Sequence, residues 1–195
     1  MSFNLATAIL AYFLVHTAAG AAASDDAGFV YQGFQSSNLS LDGLAKIMSN
    51  GLLQITNTTK LETGHAFYPN PINFKSKSNS SALSFSTQFV FAIVPKVSGV
   101  TGPGMAFVIA PTRGLTRGPS TQFLGLFNRS TNGNQTNHVF AVELDTFQNQ
   151  DFGDINDNHV GIDINSVSSK ISRPASYQAN NKNSFDNLTL SSGQQ

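Results

Sequence analysis

The sequence of 195 residues contains no cysteine and no tryptophan, and only 11% of its residues are charged, against about a quarter in an average soluble domain. Without cysteine, the chain can form no disulfide, no thiolate metal site and no cysteine nucleophile. The 11 basic and 11 acidic residues cancel, and the absence of a basic stripe argues against a nucleic-acid or anionic-membrane partner. The hydrophobic content of 40% is too high for a disordered chain, so we expect one folded domain.

The first 23 residues have the composition of a secretory signal peptide. An apolar run over residues 5–15 is interrupted only by Thr7, and small residues follow up to Ala23. The run is too short to span a membrane comfortably, so we expect a signal peptide over 1–23, no membrane span, and a secreted or extracellular domain over 24–195. A buried N-terminal helix is the alternative interpretation.

Six Asn-x-Ser/Thr sequons follow this segment. In a secreted protein such sequons are acceptors for N-linked glycans. The candidate glycosylated residues are Asn38, Asn57, Asn79, Asn128, Asn134 and Asn187.

Hydrophobic residues recur with a period of two, which is typical of half-buried strands. Positions 83, 85, 89, 91 and 93 are apolar and would lie on one face of a strand over residues 83–93. Shorter apolar runs predict strands over 105–110, 138–145 and 159–164, with weaker signals over 29–34 and 51–55. Turn-forming residues separate these runs and no long amphipathic helix is present, so the pattern predicts an antiparallel sandwich or jelly roll. The aromatic residues assigned to its core are Tyr31, Phe34, Phe85, Phe89, Phe91, Phe107 and Phe140.

Six of the eleven acidic residues lie between Glu143 and Asp163. On a strand, Glu143 and Asp145 point to the same face, about 7 Å apart, and His159 and Asp163 share a face of the returning segment. Clustered carboxylates repel each other unless a cation neutralises them. Oxygen donors suit calcium, and one imidazole among carboxylates suits a transition ion such as manganese. The cluster is therefore either a paired metal site or an ordinary solvated loop.

The same block resembles the metal-binding signature of the legume (L-type) lectins. The resemblance lies in Glu143-Leu-Asp145-Thr-Phe147, then Asn149, Asp154 and the run Asn-His159-Val-Gly-Ile-Asp. The segment Phe-Gly-Asp-Ile-Asn-Asp-Asn-His-Val-Gly-Ile-Asp, residues 152–163, is similar to the corresponding segment in the extracellular domains of plant lectin receptor kinases. Further similar segments are 29–34, 85–91, 104–111 and 123–128. The resemblance implies an all-β antiparallel jelly-roll sandwich of the concanavalin-A-like lectin type.

The resemblance also implies a set of site residues. The manganese or other transition ion would be held by Glu143, Asp145, Asp154 and His159. Calcium would be held by the side chains of Asp145, Asn149 and Asp154 and by the Phe147 carbonyl. In this family the ions rigidify the loop, so that Asn149 can donate its amide to a sugar hydroxyl while Phe147 presents an apolar face to the sugar ring.

Three further positions are expected beside the sugar, and two of them depart from the family pattern. Pro103 stands where the family has a sugar-binding Asp, just before Gly104, and Gln122 stands where the family has a Gly close to the sugar. The family has a cis peptide at this place, and we expect Gly102–Pro103 to be cis as well. The resemblance therefore implies a retained metal geometry with impaired or altered sugar binding.

The resemblance predicts further strands after residue 195, so we expect an incomplete domain whose C-terminal strands are missing. The function implied is metal-stabilised carbohydrate binding without catalysis, with carbohydrate or glycoprotein glycans as partners; the resemblance also allows a homo-oligomer.

Two other functions are weighed. The missing sugar-binding Asp keeps open a non-sugar interaction module that takes a peptide or an apolar small molecule. Glu143-Leu-Asp145 is also similar to the motif of some β-glucan hydrolases, which need two carboxylates at the scissile bond. The expected second Glu is replaced by Phe147, and the one other Glu of the chain, Glu62, lies far away in sequence.

Overall fold

The computed structural model describes residues 28–76, 80–97, 101–115, 122–179 and 183–193. The expected signal peptide and the sequon at Asn79 lie outside these residues. The described helices are two single 3-10 turns, Gln135–Asn137 and Gln150–Phe152, and neither is long or apolar enough to cross a membrane. The strands are, in order, β1 Ser40–Gly43, β2 Lys46–Ile47, β3 Leu53–Gln54, β4 Gly64–Phe67, β5 Gly104–Ile109, β6 Phe140–Asp145, β7 His159–Ile164, β8 Ile171–Pro174, β9 Ser176–Tyr177 and β10 Asp186–Asn187.

The largest sheet pairs β5, β6, β7 and β8 in that order, and all its pairs are antiparallel. Its first three strands confirm the predictions for 105–110, 138–145 and 159–164. The register places Asp145 opposite His159 on β7 and opposite Gly104 on β5, and it places Glu143 opposite Gly161. Smaller two-stranded pairs are formed by β1 with β4, β2 with β3, and β9 with β10.

The two faces of this sheet contact different sets of apolar residues. One face contributes Ala141 to a buried cluster that also contains Phe123, Leu126 and Phe127. The opposite face contributes Leu144 to a second cluster. Because side chains alternate along a strand, Glu143 and Asp145 lie on the same face as Ala141. The charged residues of β6 therefore continue a face whose other end is a packed core.

The prediction of a strand over residues 83–93 was wrong, because the structure assigns no strand there. The apolar alternation reflects packing instead: the rings of Phe85 and Phe89 each lie 6.2 Å from the ring of Phe107 on β5. Main-chain bonds are seen at the ends of the segment, from the Leu83 N–H to the Phe74 carbonyl and from the Gly193 N–H to the Ile93 carbonyl. A side-chain pattern indicates which face is buried but does not supply a neighbouring strand.

Other expectations were met only in part. Residues 29–34 form no strand, although Phe29 stacks on Tyr68 with ring centroids 4.0 Å apart. Of the seven aromatic residues assigned to the core, Phe34 is buried and the others are half-buried. The predicted strand over 105–110, which is β5, is half-buried along its length.

Asn165 joins the end of β7 to the start of β6. Its backbone is left-handed, with φ of 61°, and its side-chain oxygen accepts a hydrogen bond of 2.8 Å from the N–H of buried Val139. Its carbonyl accepts bonds from the Gly133 N–H and the Asn137 amide. Asparagine suits this place because it tolerates the left-handed region and carries a short acceptor.

We expect Asn165→Ala to lower the free energy of unfolding by about 2–3 kcal/mol, since it strains the left-handed backbone and leaves the Val139 N–H unsatisfied. Asn165→Gly relieves the strain but not the lost bond and should cost about 1–2 kcal/mol. Urea denaturation measures both. Equal losses for the two variants, or no loss for either, would contradict this account.

Candidate functional site

Three side chains converge at one end of the four-stranded sheet. Glu143 and Asp145 of β6 share a face with His159 of β7, because Asp145 lies directly opposite His159. One ligand atom from each of the three residues lies within 4.8 Å of the other two. The three side chains are 1%, 4% and 0% exposed, respectively. Buried carboxylates are costly unless they are paired or bind a metal ion.

The hydrogen bonding of His159 fixes which ring nitrogen faces the carboxylates. Its Nδ1 lies 2.9 Å from the Asn156 carbonyl, which can only accept, so Nδ1 carries a hydrogen. In a neutral ring Nε2 then presents a lone pair toward the Glu143 Oε1 atom, 3.3 Å away. Two acceptors this close require a proton or a metal ion between them. The residues therefore fit a transition ion, whose usual ligands include imidazole nitrogen with its other N–H bonded to a carbonyl.

The electrostatics of the pocket favour a cation. Burial raises the pKa of Asp145 to about 7, and the nearby Asp154 and Glu143 charges add to this, against the hydrogen bond from the Phe147 N–H and the attraction of His159. The sheet face also buries Asp163, and burial, followed by the charge of Glu143, raises its pKa to about 8. In the absence of a cation these acids would retain protons near neutral pH.

The loop after β6 folds back over the three converging residues. The Asp145 Oδ1 atom accepts a bond of 2.7 Å from the Phe147 N–H, and the Asp154 Oδ2 atom accepts a bond of 2.6 Å from the Asn149 N–H. The Asn149 amide donates to the Phe147 carbonyl at 3.3 Å. Phe147 is 52% exposed, and Asp154 lies outside the group of three ligand atoms. The predicted ligands therefore lie on β6, on β7 and in the loop between them: the three strand residues converge, and the loop residues Phe147, Asn149 and Asp154 take part in hydrogen bonds of the loop itself.

Thr146 is hydrogen-bonded to the loop that carries Pro103. It is the first residue of the loop between β6 and β7, residues 146–158, called the metal-site loop here because it carries the predicted loop ligands. The Thr146 N–H donates to the Pro103 carbonyl at 3.2 Å, and its hydroxyl donates to the Gly102 carbonyl at 2.8 Å. Thr101 in turn donates its hydroxyl to the Thr146 carbonyl at 2.6 Å. The expectation of a cis Gly102–Pro103 bond was wrong, because the bond is trans. In this trans arrangement the carbonyls of Gly102 and Pro103 both accept hydrogen bonds from Thr146.

The two other residues expected beside the sugar, Gly104 and Gln122, differ in what constrains them. Gly104 has φ of 118°, and a Cβ atom there would collide with the Leu144 carbonyl, so this position requires glycine. Gln122 is half-buried at the start of a turn, and the next residue, Phe123, has its ring 5.4 Å from that of Phe152. The Gln122 turn therefore packs against the 3-10 turn of the metal-site loop.

Several residues around the site were not found from the sequence. Ser169, in the connection between β7 and β8, contacts Glu143 and Asp163. Asn156 orients His159, and Thr146 joins two loops. Nothing in the local sequence pattern identifies Ser169 or Thr146, since their roles depend on which segments the sheet brings together.

Five of the six predicted glycosylation sites lie in the described part of the chain. Asn38, Asn57, Asn134 and Asn187 are exposed, and Asn128 is half-buried. The Asn134 side-chain oxygen accepts bonds from the backbone and hydroxyl of Thr136, the third residue of its sequon.

The raised pKa values predict an unusual pH dependence of stability for the metal-free chain. Folded Asp145 and Asp163 bind protons up to about pH 7 and 8, whereas unfolded aspartate loses its proton near pH 4. The free energy of unfolding should therefore fall as the pH rises between these limits. Thermal unfolding in EDTA should give a lower Tm at pH 8 than at pH 5. Asp145→Asn should flatten this dependence, and replacement of exposed Asp157 by Asn should not; a Tm that rises with pH would contradict the assignment.

The family model for the legume lectin domain matches residues 26–195. The chain is 54% identical over 153 residues to L-type lectin-domain containing receptor kinase IV.1 of Arabidopsis thaliana, covering 78% of this chain and 22% of that protein. It is 47% identical over 167 residues to receptor kinase V.9 of the same plant, covering 86% of this chain and 24% of the relative. The chain thus spans about a quarter of the length of these curated relatives.

Among solved structures, the fold is similar to winged bean acidic lectin complexed with methyl-α-D-galactose. The TM-score is 0.60 at 32% sequence identity, and the match covers 75% of this chain and 61% of that lectin. Lectin II from Ulex europaeus matches with the same TM-score at 26% identity, over 80% of this chain and 68% of that one. These neighbours confirm the predicted jelly-roll sandwich. Together with the family match over nearly the whole sequence, they show that the chain belongs to the legume lectin domain family.

Proposed function

We propose that this chain is a non-catalytic carbohydrate-binding module whose binding loop is organised by a manganese ion, or another transition ion, together with calcium. The observation that carries the proposal is the convergence of Glu143, Asp145 and His159 at the ends of two strands that are joined by a loop with an exposed aromatic ring, that of Phe147. Family membership supports the carbohydrate-binding role in general terms. The ligands and the sugar-contacting residues are proposals for this particular chain.

The donor chemistry supports two different ions. A transition ion suits the imidazole of His159 and the buried Glu143 carboxylate, with Asp145 and Asp154 completing its ligands. Calcium suits an all-oxygen set, namely Asp145, Asp154, the Asn149 side chain and the Phe147 carbonyl. The ions supply no chemistry to the sugar; they would hold the loop in one conformation. A loop ordered beforehand loses less entropy when a ligand binds.

The residues that would meet the sugar lie on the outer side of this loop. The Phe147 ring is 52% exposed and can cover the apolar face of a pyranose, while the Asn149 amide can donate to a hydroxyl. A structural relative is described in complex with methyl-α-D-galactose, and this supports a hexose as the class of ligand. We therefore propose carbohydrate or glycoprotein glycans as the partner, in a secreted or extracellular setting where the exposed sequons carry glycans.

The residues at the other two loops favour weak or altered sugar binding. Pro103 supplies no carboxylate and no backbone N–H, so it cannot accept bonds from sugar hydroxyls through a side chain or donate one to them. The backbone conformation of Gly104 requires glycine at that position. Gln122 carries a side chain at a position where the family has a glycine close to the sugar. The binding energy then depends chiefly on Phe147 and Asn149.

The structure gives no support to the β-glucan hydrolase alternative. Glu143 is 1% exposed and lies against His159 and Ser169, so it cannot reach a polysaccharide, while Glu62 is exposed in a distant turn. A non-sugar module for a peptide or an apolar small molecule is the second candidate, favoured by the exposed Phe147 ring and by the lack of a carboxylate at Pro103. The binding experiment below separates it from the lectin, because a peptide or apolar ligand would not compete with free sugar.

We expect the chain to be retained on immobilised galactose or mannose glycans with calcium and manganese present, and to elute with EDTA or free sugar. Asn149→Ala should weaken binding at least tenfold because a donor to the sugar is lost. The exposed Asn50 of the β2–β3 turn provides a control, and Asn50→Ala should bind like the unchanged chain. Retention that survives EDTA and free sugar would refute the lectin proposal.

If Pro103 is the cause of weak binding, Pro103→Asp should strengthen it. The carboxylate would accept bonds from sugar hydroxyls, worth about 1.5–3 kcal/mol or about a 10- to 100-fold gain in affinity. Pro103→Ala is the control, since it removes the ring without adding an acceptor and should give no comparable gain. Isothermal titration with methyl-α-D-galactose and methyl-α-D-mannose measures the affinities; equal values for the Asp and Ala variants would refute this explanation.

A further inference from the structure

One buried acid of the sheet is not accounted for by the proposed ligands. Asp163 lies two residues after Gly161 on β7, on the face that carries His159, and it is fully buried. It does not belong to the group of three converging ligand atoms. A buried carboxyl group that neither binds the ion nor forms an ion pair is costly unless its neighbours form hydrogen bonds to it, so its neighbours need to be identified.

Two neighbours contact Asp163: Ser169 and Glu143, and Ser169 also connects the two acids. The Ser169 hydroxyl lies 2.8 Å from the Asp163 Oδ1 atom and also contacts the Glu143 Oε1 atom, the same oxygen that faces His159. The hydroxyl therefore stands between two carboxyl groups. A serine hydroxyl has one hydrogen, so it donates to one carboxyl group and bonds the other only by accepting that group's own hydrogen. With Glu143 ionised as a metal ligand, Ser169 donates to Glu143 and accepts from the carboxylic acid of Asp163.

Gly161 opens the space in which this chain of contacts forms. It lies directly opposite Glu143 in the register, and a Cβ atom on it would overlap both the Ser169 hydroxyl and the Glu143 carboxylate. Glu143 thus lies across a strand position without a side chain, and the serine closes over it from the next connection. A glutamate has three rotatable side-chain bonds, so an oxygen aimed at one point needs such restraint.

We infer that Asp163 is a positioning residue for the metal centre: acting through Ser169, it holds the Glu143 Oε1 atom in the place from which it binds the transition ion. This inference rests on the proposed function, because it needs an ion at Glu143, Asp145 and His159. Asp163 makes no contact with the ion in this account. The free oxygen of Asp163, Oδ2, has no hydrogen-bond partner among the described residues, so its contact with Ser169 is made by the other oxygen alone.

The test is a titration of the full metal-free chain with manganese chloride. The affinity for manganese is measured by calorimetry and from the electron paramagnetic resonance signal of free Mn²⁺. Asp163→Ala and Ser169→Ala should each weaken manganese binding about 10- to 100-fold, as the loss of outer-sphere partners does elsewhere. Asp163→Asn keeps the volume and a polar contact to Ser169, and it should stay within about threefold of the unchanged chain. Ser168→Ala, in the same connection, is the control and should bind normally.

Thermal unfolding in EDTA shows whether each variant is folded. If Asp163→Ala does not fold, the manganese affinity of Ser169→Ala decides the outcome. Unchanged affinity in both alanine variants would overturn this inference and leave the proposed function intact. Equal weakening in Asp163→Asn and Asp163→Ala would also overturn it, because the charge rather than the contact would then matter. If the unchanged chain binds no manganese, the proposed function fails first, and this inference fails with it.

Discussion

The architecture of the site depends on one electrostatic constraint, the burial of Glu143, Asp145 and His159 within 4.8 Å of one another. The Asn156 carbonyl fixes a hydrogen on Nδ1 of the imidazole, so Nε2 and a carboxylate oxygen face each other with no hydrogen of their own to share. A cation satisfies all three groups at once, and protons satisfy them less well. The loop between β6 and β7 is bonded to this centre where the Phe147 N–H donates to Asp145.

The sheet and the loops contribute different parts of the candidate site. Antiparallel pairing of β6 with β7 brings the ligands together and requires only the alternation of side chains. Thr146 then ties the Pro103 loop to the metal-site loop, and Phe123 packs the Gln122 turn against Phe152. The Pro103 loop and the Gln122 turn are therefore each in direct contact with the loop between β6 and β7, while the Phe147 ring of that loop is exposed at the surface.

Much of this arrangement could be predicted from the sequence, because the strongest signals were local. Short apolar runs between turn-forming residues located β5, β6 and β7, and the two-residue spacing placed Glu143 and Asp145 on one face of β6. The register of β6 with β7, which brings His159 opposite Asp145, is seen only in the structure. The resemblance then identified the family. The contributions of Ser169 and Thr146 could not be predicted, since they come from connections whose paths no local pattern specifies. The strand expected over 83–93 failed for a related reason: the pattern describes one side chain face, whereas a strand requires a bonded neighbour.

The proposed function depends on a metal ion bound between Glu143, Asp145 and His159. The most direct measurement is crystallography of the chain grown with manganese and calcium, with diffraction data collected at the manganese absorption edge. We expect an anomalous peak within bonding distance of His159 Nε2 and of carboxylate oxygens of Glu143 and Asp145. A map without that peak, in which His159 Nε2 donates a hydrogen bond directly to Glu143, would contradict it.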